Sequence, residues 1–341
     1  MDIKKIGRED VNSWEAYVEN HPTIAWQSYY WYDVLKRHYS VDFYPLAAVE
    51  GSQICGILPI YSVKSFRGNL KLISVPYAVG GGIVADGSVA ESALLEAAID
   101  LYRELGAERI ILKQYKHKIH ADLMTDDNFY NRELDLTVGV DNLWTGLADK
   151  NRHYIEKCQD DSIHLVYPSN DIKAFYRLLL IHHRNSGVPC VSARWIQDLI
   201  HFKMYGIALL KHDKRVIAGT LVKEHKQTVS FPFTCLPDSS DLSLTFGYQL
   251  YWQLIKKFSE AGKAIFHSGR IPVTHETYPY RLGWGGKQYG YYYQYYPNIK
   301  GGKTEFIKKS GHKRQLASKL WKRLPLPIAG LLGPAIVRQF P

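Results

Sequence analysis

Residues 44–61 read Tyr44-Pro-Leu-Ala-Ala-Val-Glu-Gly-Ser-Gln-Ile-Cys-Gly-Ile-Leu-Pro-Ile-Tyr61, and residues 205–224 read Tyr205-Gly-Ile-Ala-Leu-Leu-Lys-His-Asp-Lys-Arg-Val-Ile-Ala-Gly-Thr-Leu-Val-Lys-Glu224. Each stretch runs an apolar segment into a polar turn and out along a second apolar segment, the pattern of a β-hairpin. Each return strand carries a glycine, Gly56 or Gly219, two residues after an apolar position. The agreement continues downstream. Residues 93–113 show helical spacing through Leu94, Leu95, Ala98, Ile99, Leu101, Tyr102 and Leu105, a stop at Gly106, then the strand pattern Arg109-Ile-Ile-Leu-Lys113. Residues 246–268 repeat it, with a helix through Tyr248, Leu250, Tyr251, Leu254, Ile255 and Phe258, a stop at Gly262, then Ala264-Ile-Phe-His267. Hairpin, strand, helix and strand written twice predict an α+β protein of two similar domains made by internal duplication.

The chain of 341 residues is long enough for two domains, and 46% hydrophobic with 22% charged residues excludes wholesale disorder. It contains no apolar run of the length a membrane-spanning helix needs, and its first ten residues lack the apolar core of a secretory signal. The four cysteines, Cys55, Cys158, Cys190 and Cys235, form no close pair. That excludes a zinc ribbon, a CxxC redox motif and a disulfide framework, so a reducing cytoplasm and no metal site are expected.

Charge is unevenly placed. The formal net charge is +10, and residues 300–341 hold ten Lys and Arg against the single acid Glu305. The body is therefore nearly neutral, and the tail is suited to phosphate on a nucleic acid or an anionic membrane. Within it, the 14 apolar residues Leu324–Val337 lie between Trp321-Lys322-Arg323 and Arg338. They are too few to span a bilayer but suit its interface, with Trp321 at headgroup level. The same pattern also fits a segment packed on the body with solvated lysines outside.

Four further stretches give the duplication a family likeness. They are Leu72-Ile-Ser-Val-Pro-Tyr-Ala-Val-Gly-Gly-Gly-Ile-Val-Ala-Asp86; Leu143-Trp-Thr-Gly-Leu-Ala-Asp-Lys-Asn-Arg-His-Tyr-Ile155; Phe175-Tyr-Arg followed by His182-His-Arg-Asn-Ser-Gly-Val-Pro189; and His267-Ser-Gly-Arg270 followed by Thr277-Tyr-Pro-Tyr-Arg-Leu-Gly-Trp-Gly285. In this order they resemble the Fem-like aminoacyl and acyl transferases, which are built from tandem GNAT-type domains. The subgroup associated with bacterial protein-sorting and exopolysaccharide loci looks most similar. The resemblance implies an N-terminal GNAT-like domain over residues 1–149, a C-terminal one over 150–305, and a basic amphipathic segment over 306–341, whose return to the first domain the sequence leaves open. It also implies an N-acyltransferase acting on an amine of a cell-envelope precursor such as peptidoglycan, or of a glycan precursor. No cofactor would be tightly bound, and aminoacyl-tRNA or acyl-CoA would be the co-substrate. The expected location is cytoplasmic, with a peripheral position on the inner membrane left open. Two positions depart from the family pattern. His267 stands where an acid is usual, and Arg281 stands where the family has a lysine near the reacting acyl group.

Amine acylation needs a held donor, a deprotonated amine and support for the tetrahedral oxyanion. The sequence shows no nucleophile elbow and no cysteine with an assigned histidine partner, so direct attack by the acceptor amine is expected. The candidate bases are His183, His275 and Glu276, because a histidine near its ordinary pKa can accept a proton at pH 7. Arg281 remains protonated and can hold an anionic donor or the oxyanion, but it cannot be a base. Tyr278 completes the catalytic set. Arg270, Arg184, Lys150, Arg152, Tyr77 and Trp284 are the candidate substrate- and donor-binding residues, each with ordinary ion pairing, a solvated face or core packing as the competing reading. Gly80-Gly81-Gly82 is a tight turn or a place for close ligand approach; no Lys-Ser/Thr follows it, so it is not a P-loop. The run Tyr289–Tyr296 reads as a strand buried on both faces or as a stacking wall for a sugar or adenosine. Neither repeat shows the coenzyme-A loop of acetyltransferases, which favours a tRNA donor. The competing class is a non-catalytic protein of the same fold that binds a lipid-linked or glycan ligand.

Overall fold

The computed structural model describes residues 1–21, 26–64, 68–158, 160–273, 283–298 and 317–340. They divide into two compact units. The first comprises residues 1–129, 290–312 and 338–341, and the second residues 130–289 and 313–337.

In the first unit, strands β1 (Asp2–Lys5), β2 (Val41–Glu50), β3 (Gln53–Lys64) and β4 (Leu70–Ile73) pair antiparallel in sequence order. Short β5 (Val84–Ala85) also pairs with β3. The chain then forms helix α3 (Ser88–Glu104), after α1 (Val11–Asn20) and α2 (Tyr30–His38) earlier in the unit. It returns as β6 (Arg109–Tyr115), parallel to β4. Leu94, Ala98, Leu58, Ile60, Ile110 and Leu112 fill the space between α3 and the sheet. The predicted hairpin, helix and strand are all present.

The second unit repeats the plan. Strands β8 (Ile163–Val166), β9 (Gly206–His212), β10 (Arg215–His225) and β11 (Thr228–Ser230) pair antiparallel, with α6 (Ile172–Ser186) and α7 (Ala193–His201) between β8 and β9. Helix α8 (Asp241–Glu260) then leads to β12 (Ile265–His267), parallel to β11. Strand β7 (Met124–Asp135) closes this side of the sheet antiparallel to β12, and β13 (Ile271–Pro272) pairs with β7. Helices α4 (Val140–Thr145) and α5 (Asp149–Glu156) precede β8, and α9 (Leu326–Val337) follows β14 (Lys287–Tyr296).

Three expectations change at this level. The chain crosses between units inside β7, at 129/130, whereas the sequence placed a boundary at 149/150. It crosses again inside β14, whose residues 291–296 pair with β6 of the first unit. Of the described tail residues, 317–337 fall in the second unit and 338–340 in the first, where the sequence set 306–341 apart as one segment. The repeat glycines are also not equivalent. A Cβ on Gly56 would lie 3.0 Å from Leu94 of α3, whereas one on Gly219 would lie 3.0 Å from Leu209 and 3.3 Å from Phe175 of α6. The counterpart of α3 is α8, so the two glycines admit helices on opposite faces of their sheets.

Candidate functional site

Among the described residues each unit has one pair of parallel strands joined by a helix, and the carboxyl edge of such a pair is where a ligand can reach backbone groups. The two edges are occupied differently.

In the first unit the edge is filled by the chain itself. Beyond Ile73 the backbone turns across β6: Ser74 N–H donates to Ile111 O (3.0 Å), and Gly82 N–H donates to Lys113 O (3.0 Å). The buried Lys113 ammonium donates to Val75 O (3.0 Å) and Ala78 O (3.1 Å), which closes the loop between them. The three glycines permit this closure. A Cβ on Gly80 would lie 2.4 Å from the Trp26 ring, and one on Gly82 would lie 2.4 Å from Gln114 Oε1. Gly81 has φ +113°, with a Cβ 2.3 Å from Val75 Cγ2. The glycine run is therefore a packed turn. Tyr77, on the same loop, stacks on Tyr39 at 4.2 Å and donates to Arg338 O (3.0 Å). Tyr291, Tyr293 and Tyr295 of β14 are buried beside Trp26, so this face of the tyrosine strand is core.

In the second unit the edge opens. The β11–β12 ladder ends at Ser230↔His267. Beyond it one arm stays with β10, through Leu221 N–H to Pro232 O (3.1 Å) and Gly219 N–H to Cys235 O (3.1 Å). The other stays with β7, through Ser268 N–H to Arg132 O (3.0 Å). The first arm bulges at Phe233, whose φ is +57°. Buried hydroxyls hold the bulge: Thr220 donates to Pro232 O (2.9 Å), and Thr234 lies 3.0 Å from Thr220 Oγ1 and 3.2 Å from the Tyr251 hydroxyl. The second arm carries a buried polar cluster. Asn131 Oδ1 accepts from Ser268 Oγ and from Gly269 N–H, both at 3.1 Å, and His267 Nδ1 lies 3.2 Å from the same amide nitrogen. Arg132, on β7 beside Ser268, has a buried Nε without a hydrogen-bond partner among the described residues.

Helix α6 borders the first arm. Asp171 caps its N-terminus and Gly187, with φ +74°, ends it. His182 Nδ1 sits 3.2 Å from both the amide nitrogen and the carbonyl oxygen of Leu236, and Asn185 Nδ2 donates to Pro237 O (2.8 Å). The third motif is thus docked on the loop that leads into α8. His183 instead faces its own helix end, with Nδ1 3.1 Å from Pro189 O. Burial pushes its pKa from the ordinary value down to about 4, so the ring is neutral at pH 7 and a weak base. The expectation of a histidine titrating near 7 does not hold at this position. Arg184, in the last turn, is partly buried and its Nε has no hydrogen-bond partner among the described residues.

The N-terminus of α8 carries a side-chain cap. Ser240 Oγ accepts from Ser243 N–H (3.2 Å), and Asp238 Oδ1 accepts from Ser240 N–H (2.9 Å) and Oγ (2.5 Å). Hydrogen bonds from Ser240 and Ser243 hold the Asp238 carboxyl below the usual carboxylate range. With Asp241 in the first turn, a pyrophosphate at this terminus would meet two carboxylates.

The remaining candidates are distributed as follows. The second and fourth motifs meet, because Ala148 N–H donates to Gly283 O (2.9 Å) and a Cβ on Gly283 would lie 2.6 Å from Asn151 Oδ1. Trp284 is buried against Tyr248 and Tyr251, so it is a core residue with no surface to offer a substrate. Arg152 donates to Thr145 O (3.0 Å) and Leu147 O (2.7 Å) and pairs with Asp149, which fastens the α4–α5 turn. Lys150 is exposed on α5, and Arg270 is partly buried directly after Gly269. His275, Glu276, Tyr278 and Arg281 lie outside the described residues. Sequence reasoning missed Asn131 and Arg132. The signal was a polar pair in a strand, Tyr130-Asn-Arg-Glu133, where an inward position would ordinarily be apolar.

No family model and no curated protein matches the sequence. Solved structures do align with it. FemX aligns at 12% identity over 86% of this chain and 97% of its own, with a TM-score of 0.66. L-PGS from Bacillus licheniformis aligns at 11% identity over 94% and 99%, with a TM-score of 0.55. A tandem GNAT protein from the clavulanic acid biosynthesis pathway aligns at 11% identity over 86% and 97%, with a TM-score of 0.53. The fold is that of tandem GNAT proteins. The α+β duplication read from the two hairpins is this fold, and no described helix is long and apolar enough to cross a membrane.

Proposed function

We propose that the chain is a Fem-like N-acyltransferase whose working cleft is the open edge between β11 and β12 of the second unit. The observation that carries this reading is the contrast between the two edges: one is sealed by residues 74–82 and Lys113, and the other parts after Ser230↔His267. An extended acyl donor would lie in the opening against the arms 231–235 and 268–270. The acceptor amine attacks the acyl carbonyl carbon, an N–C bond forms, and the C–O bond of an ester or C–S bond of a thioester breaks. The amine proton leaves to a base and the leaving group is protonated. Gly269 N–H and Ser268 Oγ are already committed to Asn131, so donors for the oxyanion are sought in Arg132, Arg184, Arg270 and Arg281. With His183 depressed to about 4, His275 and Glu276 are the bases in this scheme.

Aminoacyl-tRNA is the proposed donor, supported by the capped and acidic α8 N-terminus, which disfavours the pyrophosphate of coenzyme A. The acceptor is proposed to be an amine on a cell-envelope or glycan precursor. The test is titration of the full chain at about 150 mM salt, where non-specific phosphate attraction is partly screened. Bulk aminoacylated tRNA, the same tRNA deacylated, acetyl-CoA and a long-chain acyl-CoA would be compared. Preference for charged over deacylated tRNA supports the reading, and tighter binding of a CoA ester overturns the donor assignment. Failure of every donor to bind favours a non-catalytic binding protein.

A further inference from the structure

Helix α9 is turned inside out for a water-soluble surface helix. Ile328, Leu331, Leu332 and Ala335 fall at i, i+3, i+4 and i+7, one face of an α-helix, and all four are exposed. Leu331 is 79%, Ile328 44% and Leu332 43% exposed. The opposite face is centred on small residues, with Leu326, Ile336 and Val337 partly buried beside them. Ala329 and Gly333 are buried, a Cβ on Gly333 would lie 2.6 Å from Cys190 O, and one on Gly330 would lie 3.2 Å from Leu180 of α6. The small side chains let α9 sit closely on the second unit while Ile328, Leu331 and Leu332 point away from it. The helix has no charged residue of its own. Leu320, 68% exposed, and Val188, 44% exposed, add apolar surface at its N-terminal end. Gly187 next to Val188 abuts Ser318 and Lys322. Trp321, expected at headgroup level from the sequence, is buried and belongs to the protein side.

We infer that α9 is an interfacial anchor that seats its Ile328–Leu331–Leu332 face in an anionic lipid surface. Charge selects this occupant over a second copy of the chain. Exposed Lys319, Lys322 and Arg323 lie just before the helix, and residues 306–341 contain no acid. A phosphate-bearing surface satisfies the apolar face and the cations together, whereas a second copy would add cations to cations. Twelve residues give about 18 Å of helix, too short to cross the roughly 30 Å hydrocarbon core, so the helix lies in the interface. This inference stands independently of the transferase reading.

The test is flotation of the full chain with vesicles of phosphatidylcholine alone or with about 30% phosphatidylglycerol, at 100 and 500 mM salt (conditions chosen on the order of the screening range). The chain should float with the anionic vesicles and bind at least about 10-fold more weakly to neutral ones or at high salt. Leu331→Asp with Leu332→Asp, at exposed positions, should weaken binding by at least about 10-fold with the unfolding curve unchanged. Lys319→Glu with Lys322→Glu and Arg323→Glu should abolish the preference for anionic lipid. Binding that survives the aspartate variant assigns it to cations elsewhere in the tail and overturns the proposal. So does absence of vesicle binding, including the case where the aspartate variant converts a dimer to a monomer.

Discussion

Lowering the pH from 8 to 5 should cost the protein about 2 kcal/mol through His183 alone. The ring is partly buried and its pKa lies at about 4, chiefly from burial, with His182 acting in the same direction and the Pro189 carbonyl against it. The unfolded chain takes up this proton near the ordinary value of about 6.5. A base whose folded pKa is depressed contributes stability that is whole above the unfolded pKa and lost as pH falls toward the folded one. At pH 5 the unfolded ring is roughly 97% protonated and the folded ring roughly 9%, and integrating that difference gives the figure of about 2 kcal/mol. Further acidification toward pH 4 raises it to near 3 kcal/mol, on the order of 1.36 kcal/mol per unit. Other titrating groups contribute to the same window, so the assay is a difference. Urea unfolding of the wild type and of His183→Gln, which retains a donor for Pro189 O, would be followed at pH 8, 6.5 and 5. The stability advantage of the wild type should shrink by about 2 kcal/mol between the ends of that range. A difference that stays constant would refute the burial argument and return His183 to the list of bases working near neutrality.

The packing of α9 predicts that Gly333→Val, whose Cβ would sit 2.6 Å from Cys190 O, lowers stability by about 1–3 kcal/mol in urea unfolding. An unchanged midpoint would contradict the close approach of the helix to residue 190. Burial raises the Cys158 thiol to about 11, the Cys190 thiol to about 12, and the Cys235 thiol well above its ordinary value. Alkylation of the native protein at pH 8 should therefore add at most one label, at Cys55, with four after denaturation; fast labelling at any of the three buried thiols would count against these positions.

The plan of the fold was legible where it is local. Continuous apolar runs on either side of Glu50-Gly51-Ser52, and helical spacing that stops at Gly106 and Gly262, depend on neighbours in sequence. The division into units was not, because β14 returns to pair with β6 after an excursion through the second unit. A glycine in a strand signals close approach but not the face, which is why Gly56 and Gly219 matched in sequence and differ in structure. Long-range contacts also hid the polar cluster: Asn131 acquires its meaning from Ser268 and Gly269. Trp284 and Arg152 carried the resemblance through their residue types, yet one packs a core and the other fastens a turn. The tail was read correctly as apolar flanked by cations, while the burial of Trp321 required knowing which face of the segment meets the body.

The central proposal is that the donor binds at the open β11–β12 edge of the second unit and not at the edge that residues 74–82 seal in the first. Hydrogen–deuterium exchange of the full chain, with and without the donor that binds best in the titration, tests it directly. Protection should appear in peptides covering residues 231–237 and 267–270 and leave residues 74–82 unchanged. Protection confined to residues 74–82 and β6 would place the donor in the first unit and contradict the account.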